Sequence, residues 1–68
     1  MSIIVKVAKS KKGTKYLAVY ECNDDNERFI SCDFSTVKRL LNINPYAKID
    51  DDYLMQYEVG EILYEVGE

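Results

Sequence analysis

The chain has no histidine, only two cysteines, one proline and three glycines in 68 residues. Each shortage removes a class of function. Without histidine, Cys22 and Cys32 have no imidazole to draw off a thiol proton, so cysteine nucleophile chemistry lacks its usual base. Two cysteines ten residues apart, with no histidine, fit no zinc spacing. They also suit a reducing compartment rather than a disulfide scaffold. No hydrophobic run approaches the ~18 residues of a membrane span. The start, Met1 to Lys12, has too short an apolar part and its charges on the wrong side for a signal peptide. The expectation is a cytoplasmic protein that does not engage a membrane.

What is present describes a folded domain. Hydrophobic residues make up 47% and charged residues 31% of the chain, a balance that argues against disorder. Sixty-eight residues make one domain. A core of that size supplies ~3–5 kcal/mol, and a shared interface would add to it, so self-association is expected. The formal net charge is −3, which argues against non-specific binding to nucleic acid. The charge is uneven. Residues 1–46 hold eight basic and five acidic side chains, whereas residues 47–68 hold Lys48 against seven acids.

The stretch Tyr16 to Leu41 organises the rest. Ile3 to Lys9 is rich in β-branched residues and leads into the turn Ser10–Thr14, where Gly13 supplies a positive φ. A hairpin pairing Lys9 with Lys15 sets Val7 opposite Leu17 and Val5 opposite Val19. Four turn-forming residues, Asn23 to Asn26, then lead to a third strand. Pairing Cys22 with Glu27 places Glu21 across from Arg28, Val19 across from Ile30 and Leu17 across from Cys32. A slip of one residue would turn Ser31 and Asp33 toward the apolar face, so the first register is preferred.

That register predicts two faces. One carries Ile3, Val5, Val7, Leu17, Val19, Ile30 and Cys32 and requires a cover. The other carries Ile4, Lys6, Ala8, Tyr16, Ala18, Tyr20, Phe29 and Ser31. The cover is a helix starting near Phe34 to Thr36, capped by Asp33 or Ser35, with Val37, Leu40 and Leu41 on one stripe. Asn42 and the Asn44–Pro45 step end it. Asp50, Asp51 and Asp52 offer caps for a second short helix, Tyr53 to about Glu58, with Gly60 as its breaker. Glu61 to Val66 reads as a last strand at a sheet edge. The fold class is therefore α+β, in the order β-β-β-α-α-β. A five-residue segment, YEVGE, occurs at 57–61 and again at 64–68, too short and too few for a solenoid or a coiled coil.

No constellation for catalysis, cofactor or metal stands out. Asp50 to Glu61 imitates a calcium loop at its ends, but Met55 stands where the glycine belongs. Ser10–Thr14 has the residue types of a phosphate loop without its spaced glycines. So short a chain also leaves little room for a substrate pocket. The expected protein is non-enzymatic and acts through its surface.

Two surfaces qualify. The first is the sheet face with Ile4, Tyr16, Tyr20 and Phe29. The shortage of other apolar groups favours its being covered by the C-terminal segment, through Tyr53, Leu54, Met55, Ile62 and Tyr64. Left open, such an aromatic patch marks a protein interface. Together with Lys6 and the basic turn, it would also suit a single-stranded nucleic acid. The second is the acidic surface of Asp50, Asp51, Asp52, Glu58 and Glu61, which could imitate a phosphate backbone. A solvated, solubilising face is its simpler reading. The leading expectation is a regulatory or accessory protein that binds another protein, of the kind phages and mobile elements encode.

Overall fold

The computed structural model describes residues 1–67. Four strands form one antiparallel sheet in the order β3-β2-β1-β4: β1 (Ser2–Lys9), β2 (Lys15–Asn23), β3 (Asn26–Ser31) and β4 (Ile62–Gly67). Two short helices, α1 (Phe34–Leu41) and α2 (Asp51–Met55), lie between β3 and β4 in the chain. The expected α+β order is the one observed.

The first hairpin follows the hydrophobic alternation. Val7 pairs with Leu17, Val5 with Val19 and Lys9 with Lys15. Gly13 closes the turn at φ 88°, a conformation in which a Cβ is strained. At the second hairpin the turn sets the register at its own end. Cys22 pairs with Glu27, Glu21 with Arg28 and Tyr20 with Phe29. Arg28 also bonds Glu21 at 3.0 Å.

Beyond that point the expected register fails. A bulge between Tyr20 and Val19 inserts Ile30, so Ser31 stands opposite Val19. Ile30 is exposed, and Cys32 lies beyond the strand in solvent rather than against Leu17. The bulge bends the strand out of the sheet, and Ser31 serves the exit, its Oγ accepting from the Asp33 N–H at 3.0 Å. Asp33 then takes the N-cap position of α1, but its carboxylate accepts from the hydroxyls of Ser35 and Thr36 rather than from a backbone N–H of the first turn. Those bonds, the Ser35 one foremost, hold the Asp33 carboxyl below its ordinary pKa.

α1 turns Val37 into the core and ends at Asn42 in the left-handed region, φ 58°. The Ile43 N–H reaches back to the Lys38 carbonyl at 3.0 Å, which satisfies an orphan acceptor of the last turn. α2 starts at Asp51 and ends at Met55, so it lies earlier in the chain than the expected Tyr53 to about Glu58. Asp50 caps it by accepting from the Tyr53 N–H at 3.1 Å, and Leu54 is its buried residue. Replacing Asp50 with alanine is expected to cost ~1 kcal/mol, seen as a lower urea midpoint with an unchanged slope.

Gly60 lies past α2 rather than at its end. It adopts φ 93°, and its N–H donates to the Val7 carbonyl at 2.8 Å. The Val7 N–H in turn donates to the Glu61 carbonyl at 3.0 Å. These two bonds lead the chain onto the free edge of β1, where β4 pairs Tyr64 with Val5 and Val66 with Ile3. A second bulge follows, because Lys6 pairs with Ile62 and leaves Leu63 as the extra residue.

The core sits on one side of the sheet. Val5, Val7, Leu17 and Val19 meet Val37 of α1 and Leu54 of α2. Ile3, Leu40, Leu41, Ile49, Tyr53, Tyr57, Leu63 and Tyr64 pack around that centre. Burial of the Tyr53 ring raises its phenol pKa, with Tyr57 adding to the effect.

Candidate functional site: the open sheet face

Both helices pack on the same face through Val37 and Leu54. The segments anchored by Ile49 and Tyr57 join them there. Period-two alternation sends the other half of the strand residues to the opposite face. Rows across that face run Ile4 with Tyr20, Lys6 with Ala18 and Ala8 with Tyr16. Phe29 continues the Tyr20 row on β3, and on β4 Ile62 continues the Lys6 row and Glu65 the Ile4 row. The expected cover by the C-terminal segment is not what forms. Tyr53, Leu54 and Tyr64 belong to the helical side, Met55 is exposed, and Ile62 joins the open face at its edge.

The face is ordered by its own side chains. The Tyr20 and Phe29 rings meet edge to face, 5.9 Å between centroids and 78° between planes, the geometry that the ring quadrupoles favour. Lys6 reaches across β2 to bond Glu27 on β3, its Nζ passing 4.5 Å from the centre of the Tyr20 ring. The hydrogen bond to Glu27 holds the Lys6 ammonium above its ordinary pKa, against a smaller opposing effect of desolvation. Beneath this layer Ile4 is 2% and Ala18 0% exposed. Phe29 and Ile62, on the two outer strands, remain 52% and 50% exposed. The structure thus brings Ile4, Tyr16, Tyr20 and Phe29 onto one surface, with the first buried at its centre.

The acidic residues are less concentrated than their spacing suggests. Asp50, Asp51 and Asp52 begin α2, while Glu58 and Glu61 flank the turn into β4, with the Glu58 N–H donating to the Glu61 carboxylate at 3.3 Å. All five are exposed, and two already serve the backbone as a cap and a turn brace.

Sequence reasoning missed one surface. On the outer side of α1, Phe34, Lys38, Arg39, Ile43 and Pro45 line a concavity of about 560 Å³. Lys38 donates to the Pro45 carbonyl at 3.1 Å and lies 6.0 Å from the Phe34 ring centre. Nearby, Tyr46 is 92% exposed. The signal was Phe34 itself, an aromatic residue on the first turn of α1 that stands at the margin of the Val37, Leu40 and Leu41 stripe and is left exposed.

No protein-family model, curated protein or solved structure matches this chain. Among the described residues, no helix is long and apolar enough to cross a membrane.

Proposed function

We propose that this is a non-catalytic interaction domain that acts by seating another protein on the open sheet face. The observation that carries the reading is the placement of both helices on the opposite side. This leaves Tyr16, Tyr20, Phe29 and Ile62 as an aromatic and aliphatic surface without a second layer. Tyrosine and phenylalanine are favoured at the centres of protein interfaces. Here they are held by an edge-to-face contact and an ion pair, so little side-chain freedom remains to be lost on binding.

A nucleic acid platform fits this face less well. Lys6 is the cation that the strands place there, and Glu27 neutralises it, leaving little positive charge to meet phosphates. The acidic surface gains no further support, because its members are divided between a helix start and a turn.

Tagged protein used as bait in native host extract tests the reading. Capture is expected with the parent chain and with the triple variant Asp51→Asn, Asp52→Asn, Glu58→Gln. It should disappear with Phe29→Glu, which puts a charge on the open face without touching the core. The reverse pattern, capture lost on neutralising the acids and kept with Phe29→Glu, would overturn it.

A further inference from the structure

We propose that the hollow on the outer side of α1 binds a small aromatic anion, a planar ring bearing a carboxylate or phosphate group. The site lies on the helical side of the molecule and is independent of any protein seated on the open face.

The first argument is shape. The hollow of about 560 Å³ adjoins a second of about 350 Å³, and Phe34 and Lys38 line both. Each falls within the ~300–1,000 Å³ of small-molecule sites, so the chain has room that its length did not promise. Phe34, Ile43 and Pro45 give the larger hollow its apolar lining. The Phe34 ring is 58% exposed and Tyr46, on the smaller hollow, is 92% exposed. Both rings therefore have surface to set against the ring of a ligand.

The second argument is charge. Lys38, Arg39 and Lys48 stand around these hollows in a chain whose net charge is −3. Among the described residues the ion pairs are Lys6–Glu27 and Glu21–Arg28, so none of the three cations enters one. The Lys38 ammonium donates to the Pro45 carbonyl, a neutral group, at 3.1 Å. Its charge and two further N–H donors remain for an anion. Arg39 adds a planar fork that matches a carboxylate or phosphate. Asp33 is the acid on the larger hollow, and its carboxylate is already engaged by the hydroxyls of Ser35 and Thr36.

The third argument is extent. Asp50 lines the smaller hollow, and Asp51 and Asp52 follow it at the start of α2. This acidic border disfavours a long polyanion such as a nucleic acid, whose charges continue past the cations. It favours a ligand whose one anionic group ends among them.

Titrations followed by amide NMR test the proposal, with naphthyl phosphate and naphthoate as probes and naphthylmethanol and inorganic phosphate as controls. Saturable shifts centred on residues 34–48 are expected with the anionic probes, and the tighter of the two identifies the acid group preferred. Naphthylmethanol, which has no charge, and phosphate, which has no ring, should each bind about tenfold more weakly or worse. Phe34→Ala, and the double variant Lys38→Gln, Arg39→Gln, should each weaken the naphthyl probes by about tenfold. These side chains lie outside the core cluster, so the amide spectra should show the fold retained. Should the double variant fail to fold, added salt on the parent chain takes its place and should weaken the anionic probes but not naphthylmethanol. Phe29→Glu, on the open face, is expected to bind the probes as the parent does. No shifts at millimolar probe, or equal affinity for naphthylmethanol and naphthyl phosphate, or a folded double variant that binds undiminished, overturns the proposal.

Discussion

Leu17→Ala is expected to leave the protein largely unfolded at 25 °C, or to lower its melting temperature by ~10 °C or more. Leu17 is 3% exposed, pairs with Val7 and lies in the cluster that both helices cover. Truncating a buried leucine to alanine costs ~2–5 kcal/mol, from lost transfer energy and the cavity left behind. The whole core of a domain this short supplies only ~3–5 kcal/mol, so one truncation removes most of the margin. Each kcal/mol moves the midpoint of a 60–100-residue domain by ~4–8 °C. Thermal melts by circular dichroism at a fixed protein concentration read the effect. Ile62→Ala, on the open face, is the control and should move the midpoint much less. A Leu17→Ala midpoint within a few degrees of the parent would show that the helical face is not where the stability resides.

Val37→Asp is expected to be more damaging still, and to respond to pH in the opposite sense to the parent. Val37 is the buried residue of α1 and belongs to the core cluster formed with Val5, Val7, Leu17, Val19 and Leu54. A carboxylate there has no cation within the cluster, and an uncompensated buried charge costs several kcal/mol. The helix must either leave the sheet or carry its acid protonated. Burial therefore raises the folded-state pKa of the introduced acid above its unfolded value. A group of that kind stabilises the fold when protonated and withdraws the stabilisation as pH rises through the ordinary carboxyl range. The variant should gain structure on moderate acidification. In the parent the shift of Asp33 runs the other way, its carboxyl being held low by Ser35 and Thr36. That contribution is present above the unfolded carboxyl pKa and fades as pH falls through the lower, folded value. Amide spectra of both proteins along a pH series separate the two signs. Arg39→Gln, on the exposed side of the same helix, should respond to pH in the parent's sense, with a smaller Asp33 contribution because the Arg39 charge helps to hold that carboxyl low.

The sequence made the first hairpin and both faces of β1 and β2 legible because strict alternation leaves one register that hides Val5, Val7, Leu17 and Val19 together. It made the start of the second hairpin legible through Asn23–Asn26 and the Glu21–Arg28 pair. It did not reveal where β3 stops pairing. Phe29 and Ile30 are adjacent and both apolar, so alternation cannot say which of them a bulge will displace. Past the bulge the chain leaves the sheet at Ser31, whose Oγ accepts from the Asp33 N–H ahead of α1. α1 was legible from its stripe and from Asn42, whereas α2 has one buried residue to mark it and ended sooner than expected.

The repeated segment shows the limit of local reading. Its first copy leaves α2 through a turn with Gly60 at positive φ, and in its second copy Tyr64 to Gly67 are strand. The same residue types adopt two structures because Tyr57 follows a helix while Tyr64 has the free edge of β1 beside it. The open face was illegible for a related reason. Its exposure depends on which side of the sheet the C-terminal third takes. Leu54, Tyr57 and Tyr64 could be assigned to a side only once their neighbours were known.

The pairing of β4 with β1 also bears on the order in which the molecule can be built. Gly67 lies beside Ser2, so β1 has its second neighbour about 65 residues later in the sequence. During synthesis the β1–β2–β3 meander can form early, while one edge of β1 waits for residues 62–67 to emerge. A contact between residues so far apart in sequence raises the contact order and slows that step. Until that step is complete, the growing chain displays a row of unpaired backbone N–H and C=O groups along β1, and this interval is when it is most exposed to pairing with a neighbour.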